Sequence, residues 1–417
     1  MADELKIAIC SDLHIGENAR EYDLRPGGTP LYAGQIGYVD YFRRCVAEAG
    51  ESADILIVSG DITDKAQPTQ FEHAMTVVAQ LAEVLGVERE CVFFVPGNHD
   101  LNWDVAQLAT EREQPFWQQF RFAPFVHSVS TFDGNAHRAS QLAEPPHFYV
   151  HQGPRADVWC FNSAAYDLPG TKPHHGRIRE ADRQQLIAEL ERVYASAVKD
   201  KYRLFVTHHH PRPQPDLYKD EPDFSGMVNG ESLMEVLTRF QFDVIFHGHK
   251  HKPWCRSESV GGQNPIAIWC SGSFSLKLGS DYEGSVANVW HLMKLHGLST
   301  AENAFGVVQS WAFAPGQGWL PSRPMYHAVD HLVPFGKIAD RAAIKGLMKR
   351  AINDALATEP IVSWAEVCSG ENDLLKYQTG VTVWSIINEL VVEMGIRPYG
   401  DQDSLDRLFL SRERSAA

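Results

Sequence analysis

A chain of 417 residues is about two to three times the usual domain length, enough for one large core and a smaller companion. With 44% hydrophobic and 22% charged residues it has ordinary soluble composition, and no stretch is long and apolar enough to cross a bilayer, which argues against a membrane-embedded protein. A formal net charge of −15 without an extended Lys/Arg stripe removes any general attraction to nucleic acid or to an anionic membrane, although a cationic site would still bind a local phosphate.

The N-terminus, Met1-Ala2-Asp3-Glu4, is acidic and runs at once into a strand-like segment. It lacks the basic and apolar regions of a signal peptide, so a cytoplasmic location is expected. Seven cysteines, Cys10, Cys45, Cys91, Cys160, Cys255, Cys270 and Cys368, are an odd number without paired spacing. Reduced core thiols are expected rather than a disulfide framework or a zinc site.

Leu5 to Cys10 opens the pattern as a β-rich run, Tyr38 to Ala49 follows as a helix, and Asp54 to Val58 reads as a second buried strand. Thr69 to Leu85 places Phe71, Met75, Val78, Leu81 and Leu85 on one helical stripe, with Thr69 and Glu72 as a capping box and Gly86 as the stop. Cys91 to Val95 is the third strand. Residues 101–156 carry many aromatics without a period and are expected to form a cap or edge insertion. Strands resume at Asp157 to Phe161, Arg203 to Thr207, Asp243 to His247 and Ile266 to Cys270, with helices at Ile178 to Tyr194 and Glu231 to Phe240 between them. Residues 211–230, rich in Pro, Gly and Asp, read as a loop. Strands alternating with helices give an α/β fold with helices outside the sheet.

After about residue 300 the strand signal fades, and residues 314–322 are dense in Gly and Pro. The expected division is a main domain over 1–300, a linker over 301–336 and a small, mainly helical appendix over 337–417. The appendix has apolar faces at Ile344, Leu347, Met348, Ala351, Ile352 and Ala355, and at Trp384, Ile387, Val391 and Met394. It would close over a site, form a homodimer interface or bind a protein partner.

Chemistry-bearing residues gather where strands end. Asp12 and His14 follow the first strand, Gly60-Asp61 the second, and Gly97-Asn98-His99-Asp100 the third; His208-His209-His210 and His247-Gly248-His249-Lys250-His251 follow two later strands. That edge of an α/β sheet is where ligand sites form, so five separate blocks would converge on one crevice. Carboxylate, imidazole and amide oxygen together suit two divalent ions of the manganese, iron or zinc kind, and the shortage of carboxylates argues against calcium. Asp12-x-His14 and His249-x-His251 stand just past their strands, where the chain is expected to turn and present both side chains; Gly16 and Gly248 ease such turns.

This order of blocks resembles the calcineurin-like metallophosphoesterase superfamily, whose pattern runs Asp-x-His, Gly-Asp, Gly-Asn-His-Asp/Glu, His, Gly-His-x-His. The resemblance covers roughly residues 5–290 and implies a metallophosphoesterase-type β-sandwich flanked by helices. It also implies one metal ion on Asp12, His14, Asp61 and His251, and a second on Asp61, Asn98, His209 and His249, with Asp61 bridging. In the fourth block the family's His stands two residues before a proline, which selects His209 ahead of Pro211 and keeps His208 as the alternate. Two divalent ions against two carboxylates leave the site net positive, where a phosphate ester docks and a bridging water readily becomes hydroxide. His99 is then the expected proton donor or transition-state stabiliser at the leaving group, oriented by Asp100. His174, His175, His210 and His247 have weaker claims, as solvated histidines or substrate contacts, and Asp64 reads as a helix-start turn residue, with an outer contact of the ligands as the alternative.

Gly60-Asp61-Ile62-Thr63-Asp64 with Gln67-Pro68 and Phe71, together with Asn162-Ser163 and the segment from Gly176 to Leu190, looks most like the cyclic-nucleotide phosphodiesterase branch. The implied activity is hydrolysis of a nucleotide-like phosphodiester. The alternative is the nuclease branch typified by Mre11, which Asp12-Leu13-His14-Ile15-Gly16 also resembles, though the second block lacks that branch's aromatic. Superfamily protein phosphatases carry Arg after the second block and Glu in the third, where this chain has Lys65 and Asp100; metal-free scaffold members have eroded blocks, and these are intact.

Overall fold

Strands that are apolar on both faces must be covered on both faces. The computed structural model describes residues 4–112, 120–169, 174–195, 199–214, 225–258, 266–278, 286–296, 304–323, 329–335, 341–378, 380–400 and 405–412. In it β1 (Leu5–Cys10), β2 (Ile55–Val58) and β3 (Val92–Phe94) lie side by side and parallel. Parallel neighbours need a long crossover, and α1 (Tyr38–Ala49) and α2 (Pro68–Leu85) supply it. Helix α2 begins one residue earlier than its stripe suggests: Pro68 fits the first helical position, and the Gln70 side-chain oxygen accepts from the N–H groups of Gln67 and Lys65, so Gln67 rather than Thr69 stands at the cap. Gly86 ends it with φ 73°.

Residues 101–156 are more regular than their composition suggests. They form α3 (Trp103–Glu111), α4 (Ala123–Asp133), α5 (Ala136–Ala143) and β4 (Phe148–Gln152). Helix α4 packs on α2, with the Phe125 ring 6.2 Å from that of Phe71, while β4 becomes an edge strand. Next come β5 (Ala156–Phe161), α6 (Glu180–Val193), β6 (Tyr202–Val206), α7 (Gly230–Arg239), β7 (Val244–His247), β8 (Pro253–Glu258) and β9 (Ile266–Ser271). The second sheet runs β4-β5-β6-β7-β9-β8, with β5, β6, β7 and β9 parallel. Its side chains divide by the two-residue period. Val158, Leu204, Val206, Phe246 and Trp269 face the first sheet's core, whereas Trp159, Phe161, Phe205, Ile245 and Ile268 pack with Leu186 and Leu190 of α6 and Leu233 and Leu237 of α7. The result is a two-sheet α/β sandwich with helices outside.

The expected linker over 301–336 is strand in most of its described residues. Here β10 (Val289–His296), β11 (Phe305–Ala314), β12 (Gly318–Pro321) and β13 (Leu332–Phe335) extend the first sheet, in the order β12-β11-β10-β1-β2-β3 with β13 also on β11. The Gly/Pro-dense stretch is a tight turn, residues 315–317, between β11 and β12. Antiparallel neighbours need no crossover helix, so the alternation that marks the first part of the chain disappears without the sheet ending.

The C-terminal region has its own core. It consists of α8 (Arg341–Thr358), β14 (Ile361–Ser363), α9 (Trp364–Val367), α10 (Gly380–Met394), β15 (Ile396–Tyr399) and β16 (Phe409–Arg412). The helices dominate, and the strands form a small antiparallel sheet in the order β14-β16-β15. The buried stripe of α10 is Val383, Ile386, Ile387 and Leu390, rotated from the expected face so that Trp384 and Val391 are half-buried. Tyr377 joins this region to the first sheet, its hydroxyl 3.2 Å from His296 Nε2 and its ring 4.9 Å from Phe305. Among the described residues no disulfide joins any of the seven cysteines, and no helix is long and apolar enough to cross a membrane.

The register places Trp311 of β11 opposite Trp290 of β10, with the rings stacked at 4.2 Å and 7°. Trp311→Ala is therefore expected to cost about 3–5 kcal/mol in denaturant unfolding, whereas a residue in a linker would leave the midpoint unchanged.

Candidate metal centre

Each block leaves the C-terminal end of a parallel strand. Asp12 and His14 follow β1, Asp61 follows β2, Asn98, His99 and Asp100 follow β3, His208 to His210 follow β6, and His249 and His251 follow β7. The loops after β1 and β2 continue the ladder: the Asp12 N–H donates to Gly60 O at 3.0 Å and the His14 N–H to Asp61 O at 2.9 Å. Two further contacts join the sheets. His208 Nδ1 lies 2.9 Å from Ser59 O, and the His249 N–H points at both Asp12 carboxylate oxygens at 3.2 Å.

The turn expected just past the strands is made by the ligands' own backbones. Asp12, His14, Asp61, His249 and His251 all have left-handed backbone, with φ of 50°, 47°, 48°, 71° and 54°. A non-glycine residue pays about 1 kcal/mol or more for this, and Asp and His tolerate it better than most. Glycine supplies the close approaches. A Cβ on Gly60 would stand 2.4 Å from His208 Nδ1, and one on Gly248 would stand 2.4 Å from Asp12 Oδ2.

Asp61 is at the centre. Its Oδ1 accepts the His99 backbone N–H at 2.8 Å, and its Oδ2 lies 3.6 Å from His14 Nε2 and 3.3 Å from His208 Nε2. His251 Nε2 is 3.2 Å from Asp12 Oδ1, and His249 Nδ1 is 3.1 Å from Asn98 Oδ1. The donor atoms of Asp12, His14, Asp61 and His251 form one group within 4.8 Å of one another, and those of His208, His209 and His249 form another. All seven expected ligands thus meet at one place, and His208 meets them too.

His99 and Asp100 do not form the expected pair. The His99 ring donates from Nδ1 to the Asp64 carbonyl at 2.9 Å and stands edge-on to His14 at 4.6 Å. Asp100 turns the other way, accepting from the N–H groups of Ile62, Thr63 and Gly97 at 2.8–3.0 Å and from the Thr63 hydroxyl. It ties the second block to the third. Asp64 is not at a helix start: it is buried, its Oδ1 accepts from Asn18 Nδ2 at 2.7 Å, and its donor atom groups with those of His14 and His99. Ser163 is the functional contact that sequence reasoning left unassigned; its hydroxyl lies 2.8 Å from His209 Nδ1. Its signal was its place just past β5, the same strand-end position as the other blocks.

The electrostatics suit the binding of cations. Burial favours a neutral Asp61, yet His208, His99 and His14 together hold it well below the usual carboxylate range. Burial works against charge on His208, but Asp61, with Asp12 and the Ser59 carbonyl, pushes it up to about 9. Desolvation drives His14 down to about 3 and His209 and His249 well below their ordinary value, so their rings are neutral donors at pH 7. His14 Nδ1 and Nε2, His208 Nε2 and His209 Nε2 are buried without a hydrogen-bond partner. Unpaired buried lone pairs are costly, and a cation satisfies them. Donors on one ion at about 2.1 Å lie about 3 Å or more apart, matching the 3.1–3.6 Å separations here. The residues fit a pair of divalent ions.

The family model described as calcineurin-like phosphoesterase matches residues 5–253. No curated protein sequence matches the chain. Among solved structures, the purple acid phosphatase PPD1 of yellow lupin (Lupinus luteus) is 13% identical over 76% of this chain and 53% of its own, with a TM-score of 0.48. This chain therefore spans about half that protein's length. The NAD nucleotidase of Haemophilus influenzae is 11% identical over 77% of this chain and 60% of its own (TM-score 0.38), and the phosphopantetheinyl hydrolase of Mycobacterium tuberculosis is 17% identical over 66% and 91% (TM-score 0.32). At these scores the likenesses carry no inference about substrate.

Because Asp100 satisfies four buried donors, Asp100→Ala is expected to destabilise the metal-free protein by about 3 kcal/mol in urea unfolding. A residue that served only to orient His99 would lower turnover and leave that midpoint in place.

Proposed function

The chain belongs to the calcineurin-like phosphoesterase family, and on that premise we propose that it is a two-metal phosphodiesterase whose substrate is a nucleotide-like phosphodiester. The observation that carries the proposal is the donor set around Asp61: Asp12, His14, Asp61 and His251 group together, His208, His209 and His249 form a second group, and Asp61 Oδ2 faces an imidazole of each. Asp12, His14, Asp61 and His251 would hold one ion, and Asp61, Asn98, His209 and His249 the other. When bound, such a pair supplies Lewis acidity for a phosphoryl oxygen and a water acidic enough to act as nucleophile at neutral pH.

The chain's own residues do the rest. The Asp64 carbonyl fixes Nδ1–H of His99, so the ring presents Nε2 as its second nitrogen. Burial resists a charge on that ring, but Asp61, the Asp64 carbonyl, Asp100 and the Asp64 carboxylate raise its proton affinity, which suits it to protonate a departing alkoxide. Ser163 holds His209 in orientation, and the Asp100 clamp fixes the loop that carries Asn98 and His99. A diester rather than a monoester is supported by the blocks that resemble the cyclic-nucleotide branch, of which Asn162-Ser163 is here buried against the site. Manganese, iron and zinc all suit this donor set.

Metal-loaded protein is expected to hydrolyse bis(p-nitrophenyl) phosphate, and His99→Ala to lower kcat by about 10²–10⁴-fold with metal content unchanged. Absence of turnover with manganese, iron, zinc and cobalt alike would remove the catalytic proposal. A panel of cyclic nucleotides, dinucleotides, single-stranded DNA and RNA under one metal condition fixes the substrate; turnover confined to the polymers would replace it with a nuclease.

A further inference from the structure

The geometry points to His208 as an additional ligand of the ion that Asp61 shares with His209 and His249, giving that ion three imidazoles. The inference rests on the two-metal proposal and goes beyond its donor set.

His208 is wholly buried, and its Nδ1 lies 2.9 Å from the Ser59 carbonyl oxygen. A carbonyl only accepts, so Nδ1 carries the hydrogen and the neutral ring's lone pair sits on Nε2. That nitrogen has no hydrogen-bond partner, and it faces Asp61 Oδ2 at 3.3 Å. Two lone-pair carriers at such a distance are stable only with a cation or a proton between them. A cation there would find further donors: donor atoms of His208, His209 and His249 lie within 4.8 Å of one another, and His209 Nε2 is likewise buried and unpartnered. On the same carboxylate oxygen, His14 of the first cluster stands at 3.6 Å and His208 of the second at 3.3 Å. Each cluster thus offers an imidazole to Oδ2, as a carboxylate bridging two ions requires. Gly60 leaves the room, since a Cβ there would meet the His208 ring.

The two ions would then differ. One has Asp12, His14, Asp61 and His251; the other has Asp61, Asn98, His208, His209 and His249. Three imidazoles shift the second site toward zinc, iron or cobalt and away from manganese and magnesium.

The test is metal uptake by the full-length apo protein, followed by calorimetry and by visible absorption with cobalt(II). His208→Asn keeps a donor for Ser59 but removes the Nε2 position, and His208→Gln restores a donor near Nε2. Wild type should bind two equivalents. His208→Asn should bind one equivalent with unchanged affinity and the second about 100-fold more weakly or worse, the upper end of what even an outer partner of a ligand is worth. His208→Gln should recover part of that loss. Two equivalents bound by His208→Asn with wild-type affinity would overturn the inference, leaving His208 as a hydrogen-bond partner of Asp61. No paired uptake by wild type would instead remove the two-metal proposal itself. Should neither variant fold, histidine-¹⁵N spectra of zinc-loaded wild type decide: five coordinated rings support the inference, and four overturn it.

Discussion

An anion buried between two β-sheets, with imidazoles rather than ammonium groups around it, depends on a proton or a cation shared with those rings. Asp61 is that anion. One oxygen is committed to a backbone N–H, and the other faces His14 and His208. Carboxylates of this kind are tolerated only when cations or protons complete them. The local architecture follows from bringing those completing groups to one point: β1, β2 and β3 deliver one set from the first sheet, β6 and β7 the other from the second, and the sheets must face each other for the sets to meet.

The convergence has a structural cost. Five left-handed ligand residues at about 1 kcal/mol each come to a sum comparable with the whole net stability of many domains. The sandwich core offsets it, through strands whose two faces are both covered and through the network that Asp100 fastens between two loops. Metal binding would add stability on top, since ions that bind the folded state alone favour it. The strained backbone and the metal site are thus one device: the left-handed residues just past the strands are themselves the ligands.

Much of this was legible in the chain itself. Leu5–Cys10 and Tyr38–Ala49 are found where the apolar patterns put them, and the other early elements shift by a residue or two. The blocks carried their own position, because a His or Asp just past a run of Val, Ile and Phe can only be at a strand end. What escaped the sequence depended on partners far away in it. Trp311 reads as an isolated aromatic until Trp290 is placed opposite it. Asp100 adjoins His99 in sequence, yet its carboxylate is claimed by N–H groups 37 and 38 residues away, and the His99 ring is claimed by Asp64. His208 and His209 are neighbours that both reach the site; the proline-spacing rule that separated them knows nothing of Ser59 or Ser163. The stretch 215–224 of the expected loop lies outside the described residues.

The central claim is that the two donor clusters around Asp61 hold two cations at once. Anomalous diffraction from crystals grown with zinc or manganese tests it most directly. Two peaks about 3.5–4 Å apart, both within bonding distance of Asp61 and one beside each cluster, are the predicted result. A single peak, or ions bound away from Asp61, would contradict it.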